Sequence, residues 1–388
     1  MKIMNGSMKK QKGATIVELM IAVLIGTLAM YAVYRVYEGT ERAKRTIATV
    51  GDAQMSGLYS TFLLEESIQN AGFALMFNKT SLMKCPNNPI GAPATPSDTS
   101  VALSLKPLPV VIDRSPDTAR SDFANFDDIY VFAGRSSRYV MPLTVDGANA
   151  NTPFGFIKDT VLVDTQTSAC NLYLVTADIA AEPSGAPVST PVSANIHGAG
   201  GATPVSGAKL ISLGVPSRLR YYVDEHNTLQ VEVWNLDTSS TNPNPTGQWI
   251  RTRTDPIISG VMLLRAQYGI DTTVTETNPG SGVTAWVDAD VPWDMSTLQG
   301  LTNPVTVDQI KAIRLALIVR TDEPENSATF NQATDFNVFQ SCPTAGGCGE
   351  AIKVSFPAGT GKGGTTYRYR MYEKVIPLRN TLYNLPTT

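Results

Sequence analysis

Apolar and polar positions divide the chain sharply near its start. Residues 14–34 are predominantly apolar, and Glu18 is the one charge among them. At 1.5 Å per residue this run predicts a helix of about 31 Å, which matches the roughly 30 Å hydrocarbon core of a bilayer. Arg35 ends the run. Beyond it Val36, Ala43, Ile47, Val50, Gln54, Leu58, Phe62 and Ile68 recur mostly at three- and four-residue steps. Glu41, Arg42, Lys44, Arg45, Asp52, Glu65 and Glu66 fill the other faces. The spacing predicts that the membrane helix continues as an amphipathic helix to about Asn70. Gly26, Gly39, Gly51 and Gly57 lie inside it, each costing up to about 1 kcal/mol relative to alanine.

After the helix, short β-branched and aromatic runs predict strands over residues 128–132, 171–175, 209–213, 218–223, 229–234, 261–268, 313–319 and 367–372. Residues 218–223 and 229–234 flank Asp224-Glu-His-Asn-Thr228, which predicts a hairpin with a five-residue loop. Arg368 and Arg370 alternate with Tyr367, Tyr369 and Met371, the period of a half-exposed strand. Proline- and glycine-rich polar stretches separate these runs at residues 87–120, 178–207 and 237–247. Loops of that length are commonly functional or without fixed structure. The expected class is α+β: one long helix, then an antiparallel sheet with large loop insertions. The expected organisation is a basic leader over 1–13, a transmembrane segment over 14–34, its amphipathic continuation over 35–70 and a β-rich globular domain over 71–388.

Charge and composition sharpen this picture. Lys2, Lys9, Lys10 and Lys12 precede the apolar run without an acidic residue among them, so the start is expected on the cytoplasmic side and the remainder outside. No A-x-A cleavage site follows the run, unlike an ordinary secretory signal. The net charge of −3 gives no ground for nucleic-acid binding, and 17% charged residues is low for a soluble protein. Of the four cysteines, Cys85, Cys170, Cys342 and Cys348, none forms CxxC, and the chain has only two histidines, His197 and His226. That argues against zinc. An even number of cysteines beyond an export-type start points to two disulfides, with Cys342 and Cys348 closing a small loop and Cys85 left to pair with Cys170. The alternative is four reduced, buried thiols.

Glu18 is the anomaly. A carboxylate at the centre of a membrane helix costs about 2.5–3.5 kcal/mol on insertion scales. The stretch Gly13-Ala14-Thr15-Ile16-Val17-Glu18-Leu19-Met20 resembles the cleavage and methylation motif of type IV pilins and type II secretion pseudopilins. That resemblance implies a cut by prepilin peptidase between Gly13 and Ala14, N-methylation of Ala14, and an assembly role for Glu18. The family most often has phenylalanine where this chain has Ala14. Cleavage would create a cationic amine one helical turn from Glu18, able to pair with it in the same or a neighbouring subunit.

Four further stretches are similar to recurring features of PilW-type minor pilins: Ser67 to Phe73 at the helix end, Tyr268-Gly-Ile-Asp271 after a strand, Val307 to Arg320 as a short helix feeding a strand, and Tyr369 to Asn380 as a closing strand. The resemblance implies an inner-membrane, single-pass protein that joins other minor pilins and the major pilin through its N-terminal helix. It implies a tip or priming complex that starts pilus assembly, supports adhesion or motility and presents a large adhesin. A pseudopilin of type II secretion shares the same N-terminal chemistry. A signal-anchored envelope binding protein would need no processing.

No enzyme is expected, and no cofactor. Gly359 to Thr366 is glycine-rich, but Lys362 is followed by Gly363 and Phe356 stands where a P-loop needs its first glycine. Asp288, Asp290 and Asp294 could attract calcium, but EF-hand spacing is absent and a solvated loop is the preferred reading.

Overall fold

A computed structural model of the chain describes residues 13, 15–72, 108–114, 126–135, 143–146, 149–150, 155–164, 172–180, 196–198, 203–236, 249–275, 278, 280, 282–300, 304–325, 335–339, 352–356, 364 and 366–382. It divides into two units, Met1–Asp52 and Ala53–Thr388. Helix α1 (Ile16–Gln69) contributes to both.

Within the first unit, α1 is long and apolar enough to cross a membrane, and none of its apolar span is buried among the described residues. The polar continuation carries its own helical support. Arg35 donates to the Tyr31 hydroxyl at 2.9 Å, and Arg42 and Lys44 pair with Glu38 and Glu41 at helical spacing. Such exposed pairs contribute only a few tenths of a kcal/mol each.

In the second unit the predicted apolar stripe needs correction. The residues of α1 that the domain buries are Ala53, Gly57, Ser60, Leu64 and Ile68. Of the predicted stripe only Ile68 is among them, while Leu58 and Phe62 are 59% and 58% exposed. The reason is close approach. A Cβ on Gly57 would overlap the Tyr372 ring, so the packed face uses small residues. Hydrophobic periodicity detects large side chains and misses such a face.

The helix stops at the predicted place. Gly72 adopts a left-handed φ of 73° and its N–H donates to the Phe132 carbonyl at 2.9 Å. Asn380 donates to the carbonyls of Asn70 and Ala71 at 3.2 and 3.0 Å, satisfying acceptors that a helix end leaves open. The Ser67 and Tyr221 hydroxyls meet at 2.6 Å.

The larger sheet has ten strands: β1 (Val110–Asp113), β2 (Asp128–Arg135), β3 (Leu143–Asp146), β4 (Asn149–Ala150), β5 (Val161–Asp164), β6 (Leu172–Val175), β7 (Ile196–Gly198), β8 (Lys209–Val223), β9 (Leu229–Leu236) and β10 (Trp249–Ile258). The runs predicted at 209–213 and 218–223 are one strand, β8. It continues through Gly214, whose φ of 65° accompanies a register shift against β5, and then changes partners. Its first half pairs with β3 and β5, its second half with β2 and β9. β1 and β7 fall inside stretches expected as loops. The β8–β9 hairpin forms as expected, with the Asp224 carboxylate accepting the N–H groups of His226 and Thr228 at 2.9 and 2.8 Å.

A second sheet has the order β12 (Ala285–Val287), β11 (Val261–Ile270), β13 (Ile310–Arg320) and β16 (Tyr369–Pro377), all antiparallel. β14 (Asp335–Val338) and β15 (Ile352–Ser355) form a separate pair. The short helices are α2 (Met295–Gly300), α3 (Pro304–Asp308) and α4 (Arg379–Leu382). β11 is buried on both faces, and so is β13 up to its last residue. One face of β11 (Leu264, Ala266, Tyr268) joins Leu64 and Ile68 of α1 in the main core. On the other face Met262, Ala316 and Ile318 pack with Phe336, Phe356 and Tyr369 in a smaller core. The whole is α+β, a long apolar helix followed by an antiparallel β domain.

Candidate functional site

The chemistry singled out by sequence lies at the start of α1. Gly13 is exposed, and among the described residues no atom lies within 4 Å of a Cβ built on it. Ala14 and the basic leader lie outside the described residues. Thr15 begins the helix: its Oγ1 accepts the Glu18 N–H at 3.3 Å and its carbonyl accepts the Leu19 N–H at 3.1 Å. Thr15-Ile-Val-Glu18 has the spacing of a capping box, T-x-x-E. The T-x-x-E spacing is legible in the sequence, but it lies within a run whose apolar character dominates.

This placement changes the energetics of Glu18. It stands in the first turn of α1, where the helix dipole favours negative charge by about 0.3–1 kcal/mol. The penalty quoted for a helix centre therefore does not apply at full size. The Glu18 carboxylate has no partner among the described residues and is exposed, free to meet a cation from outside the chain.

The aspartates considered for calcium have other partners. The Arg114 guanidinium donates to Asp288 at 2.8 Å and to Asp290 at 2.7 Å. Asp294 instead caps α2, accepting the Thr297 N–H at 3.1 Å and the hydroxyls of Ser296 and Thr297. Among the described residues no cluster of three His, Cys, Asp or Glu could hold a metal. Arg114 also approaches Asp127 at 3.5 Å, a fully buried carboxylate that accepts from Arg265 at 3.1 Å and from the Ala266 N–H at 2.7 Å. Burial pushes the Asp127 carboxyl up to about 6, while Arg265, the Ala266 amide and Arg114 pull the other way. Sequence reasoning missed this cluster because its members come from four distant segments.

The Tyr268-Gly-Ile-Asp271 stretch has a structural role. It ends β11 rather than following it. The buried Tyr268 hydroxyl accepts the Ile112 N–H at 2.6 Å. Gly269 leaves room for Trp286, whose ring lies 2.8 Å from where a Cβ would be. Asp271 accepts from Thr273 and from the Gly282 N–H, closing the following loop. His226 sits in the β8–β9 loop, and the side chain of His197 is not described. Cys85, Cys170, Cys342 and Cys348, and most of the glycine-rich segment 359–366, lie outside the described residues.

Comparison with protein families gives two matches. Residues 8–34 match the prokaryotic N-terminal methylation motif. Residues 220–380 match the type IV pilus-assembly protein W family, PilW. The second match begins in β8, contains the whole four-stranded sheet and ends on Asn380, the residue that caps α1. Comparison with curated proteins finds no match, and neither does comparison with solved structures.

Proposed function

We propose, for a chain bearing both signatures of a PilW-type type IV minor pilin, that it is processed by prepilin peptidase and then helps to start a pilus. The chain is pilin-related and carries a membrane-type N-terminal helix. The proposed sequence of events builds on those two facts. The protein enters the inner membrane with residues 1–13 inside and its globular domain in the periplasm. The peptidase hydrolyses the Gly13–Ala14 bond and methylates the new Ala14 amine. The cationic amine lies at the bilayer edge, near the open N-terminus of α1.

Glu18 of one subunit then pairs with the amine of its neighbour. A subunit at the wrong height would leave both charges unpaired in an apolar bundle, so the pair selects one axial stagger. The exposed apolar face of α1 bundles with other minor pilins and with the major pilin. A globular domain of over 300 residues on one helix fits the end of a filament better than its shaft. That bulk supports a place in a tip or priming complex, which serves adhesion or motility and carries a large adhesin.

The observation that carries this reading is the coincidence of Gly13, a capped helix start and an unpartnered Glu18 within the match at 8–34. Intact mass of the membrane-extracted chain tests it. We expect loss of residues 1–13 plus one methyl group, and retention of the leader when prepilin peptidase is deleted. The same mass in both strains overturns the reading. Alkylation before and after reduction of that sample tests the proposed disulfides of Cys85, Cys170, Cys342 and Cys348: four thiols reactive only after reduction are expected.

A further inference from the structure

β16 ends the four-stranded sheet, and among the described residues it pairs with β13 alone. Its register against β13 runs without a shift from Tyr369 to Pro377. The hydrogen-bonding parity can be derived from both ends. Leu378 N–H donates to the Lys311 carbonyl, and Thr321 N–H donates to the Arg368 carbonyl. In an antiparallel ladder such pairs recur at every second residue. Residues 370, 372, 374 and 376 therefore direct their backbone groups toward β13. Met371, Glu373 and Val375 direct theirs outward.

The edge strand β10 is blunted in the usual ways. β10 carries Pro256, two register shifts and exposed Arg251 and Arg253. β16 has no proline before its last residue. Outside α1, the exposed large hydrophobics among the described residues are Val205, Val291, Met371 at 40% and Val375 at 48%. Two of these four stand on this one strand, on the same face.

The opposite face of the edge carries Arg370, Tyr372 and Lys374 and lies against α1. Tyr372 reaches α1 at Gly57 and donates to the Gln54 carbonyl at 3.3 Å, and Lys374 pairs with Glu65 at 3.2 Å. Leu58 lies four residues after Gln54 and Phe62 three before Glu65, so both stand on the side of α1 that borders β16. The edge, unpaired among the described residues, is thus flanked by Leu58 and Phe62 on one side and by Met371 and Val375 on the other, with Glu373 between these two accepting the Phe339 N–H at 2.6 Å.

We propose that β16 receives an added β-strand from another protein of the same pilus-assembly complex. The strand would carry apolar residues opposite Met371 and Val375. On its other face an acidic residue would meet the exposed Arg370, which shares the α1 side with Lys374, already paired with Glu65. A second copy of this chain is the poorer occupant, because its β16 brings another Arg370 to the seam where an acid is needed. Backbone pairing supplies affinity and the alternating pockets supply selection.

The proposal rests on the assembly reading only for its setting, and one experiment separates the two. A photocrosslinking amino acid is placed at Met371, Val375 or, as control, Val205 in the full chain, in cells that build the filament. Incorporation and crosslinks are read from the same sample. We expect positions 371 and 375 to crosslink to one extended segment of another assembly protein, at sites two or more residues apart. Val205 is expected to give no such product. Val375→Pro removes only an outward N–H and should abolish the crosslink at 371 with melting unchanged. Should that variant fail to fold, hydrogen exchange of the unaltered chain decides. The amides of residues 371, 373 and 375 exchange faster than those of 370, 372 and 374 in the isolated protein and become protected in the assembly. Incorporation without crosslinks or added protection, or crosslinks to a second copy, overturns the edge proposal alone. Failure to incorporate overturns the assembly reading and the edge proposal with it.

Discussion

Glu18 has two roles available to it, and substitutions separate them. Thr15→Ala removes the hydroxyl that caps the Glu18 N–H and should weaken the helix start by about 1 kcal/mol, leaving the carboxylate in place. Glu18→Val removes the carboxylate and should leave membrane insertion intact while filament incorporation falls. Quantifying the chain in membranes and in sheared filaments tests this, and normal incorporation of the valine variant argues against intersubunit pairing. Asp127 makes a different kind of prediction. Its folded pKa of about 6 lies above its ordinary value, so between about pH 4 and 6 the native state holds a proton that the unfolded state has released. Stability from this group is therefore full below pH 4 and declines as pH rises through 6, by at most about 1.4 kcal/mol per pH unit. Urea unfolding across that range should show the decline, and Asp127→Asn should flatten it. Glu18 was legible because a lone charge in an apolar run is conspicuous. Asp127 was not, because Arg114, Arg265 and Asp288 converge on that region only after folding.

Elements were legible where large apolar residues repeat. The helix end at Gly72, the β8–β9 hairpin and strands β11 and β13 follow from periodicity and turn residues. The packed face of α1 does not, because Ala53, Gly57 and Ser60 give almost no hydrophobic signal. Close approach replaces bulk there, and this is testable. Gly57→Val should drive the Tyr372 ring from its place and lower stability by about 1–3 kcal/mol. Adding Tyr372→Ala should recover part of that loss, and a double-mutant cycle by thermal unfolding measures the coupling. Full additivity would show that the two residues do not share the contact. Gly214 and Pro216 separate the two apolar runs of β8 in the sequence, so the pattern predicts two strands there. In the fold Gly214 permits the bulge at which the strand exchanges β5 for β2 and β9 as neighbours, so one element serves both halves of the sheet.

At the scale of the molecule, the segment joined last completes what the first helix begins. β16 closes the four-stranded sheet, and Asn380 holds the carbonyls of Asn70 and Ala71 at the end of α1. Residues some three hundred positions apart thus form one joint. The consequence concerns time. Under the proposed export the segments after α1 leave in chain order, so β1 to β11 are outside before residue 380 can donate to the carbonyls of Asn70 and Ala71. The Asn380 bonds tie a settled end of α1 to the segment that follows β16. A chain cut after residue 366 should enter the membrane and still be digested rapidly by external protease along residues 53–72. The chain that includes residues 367–388 should resist there.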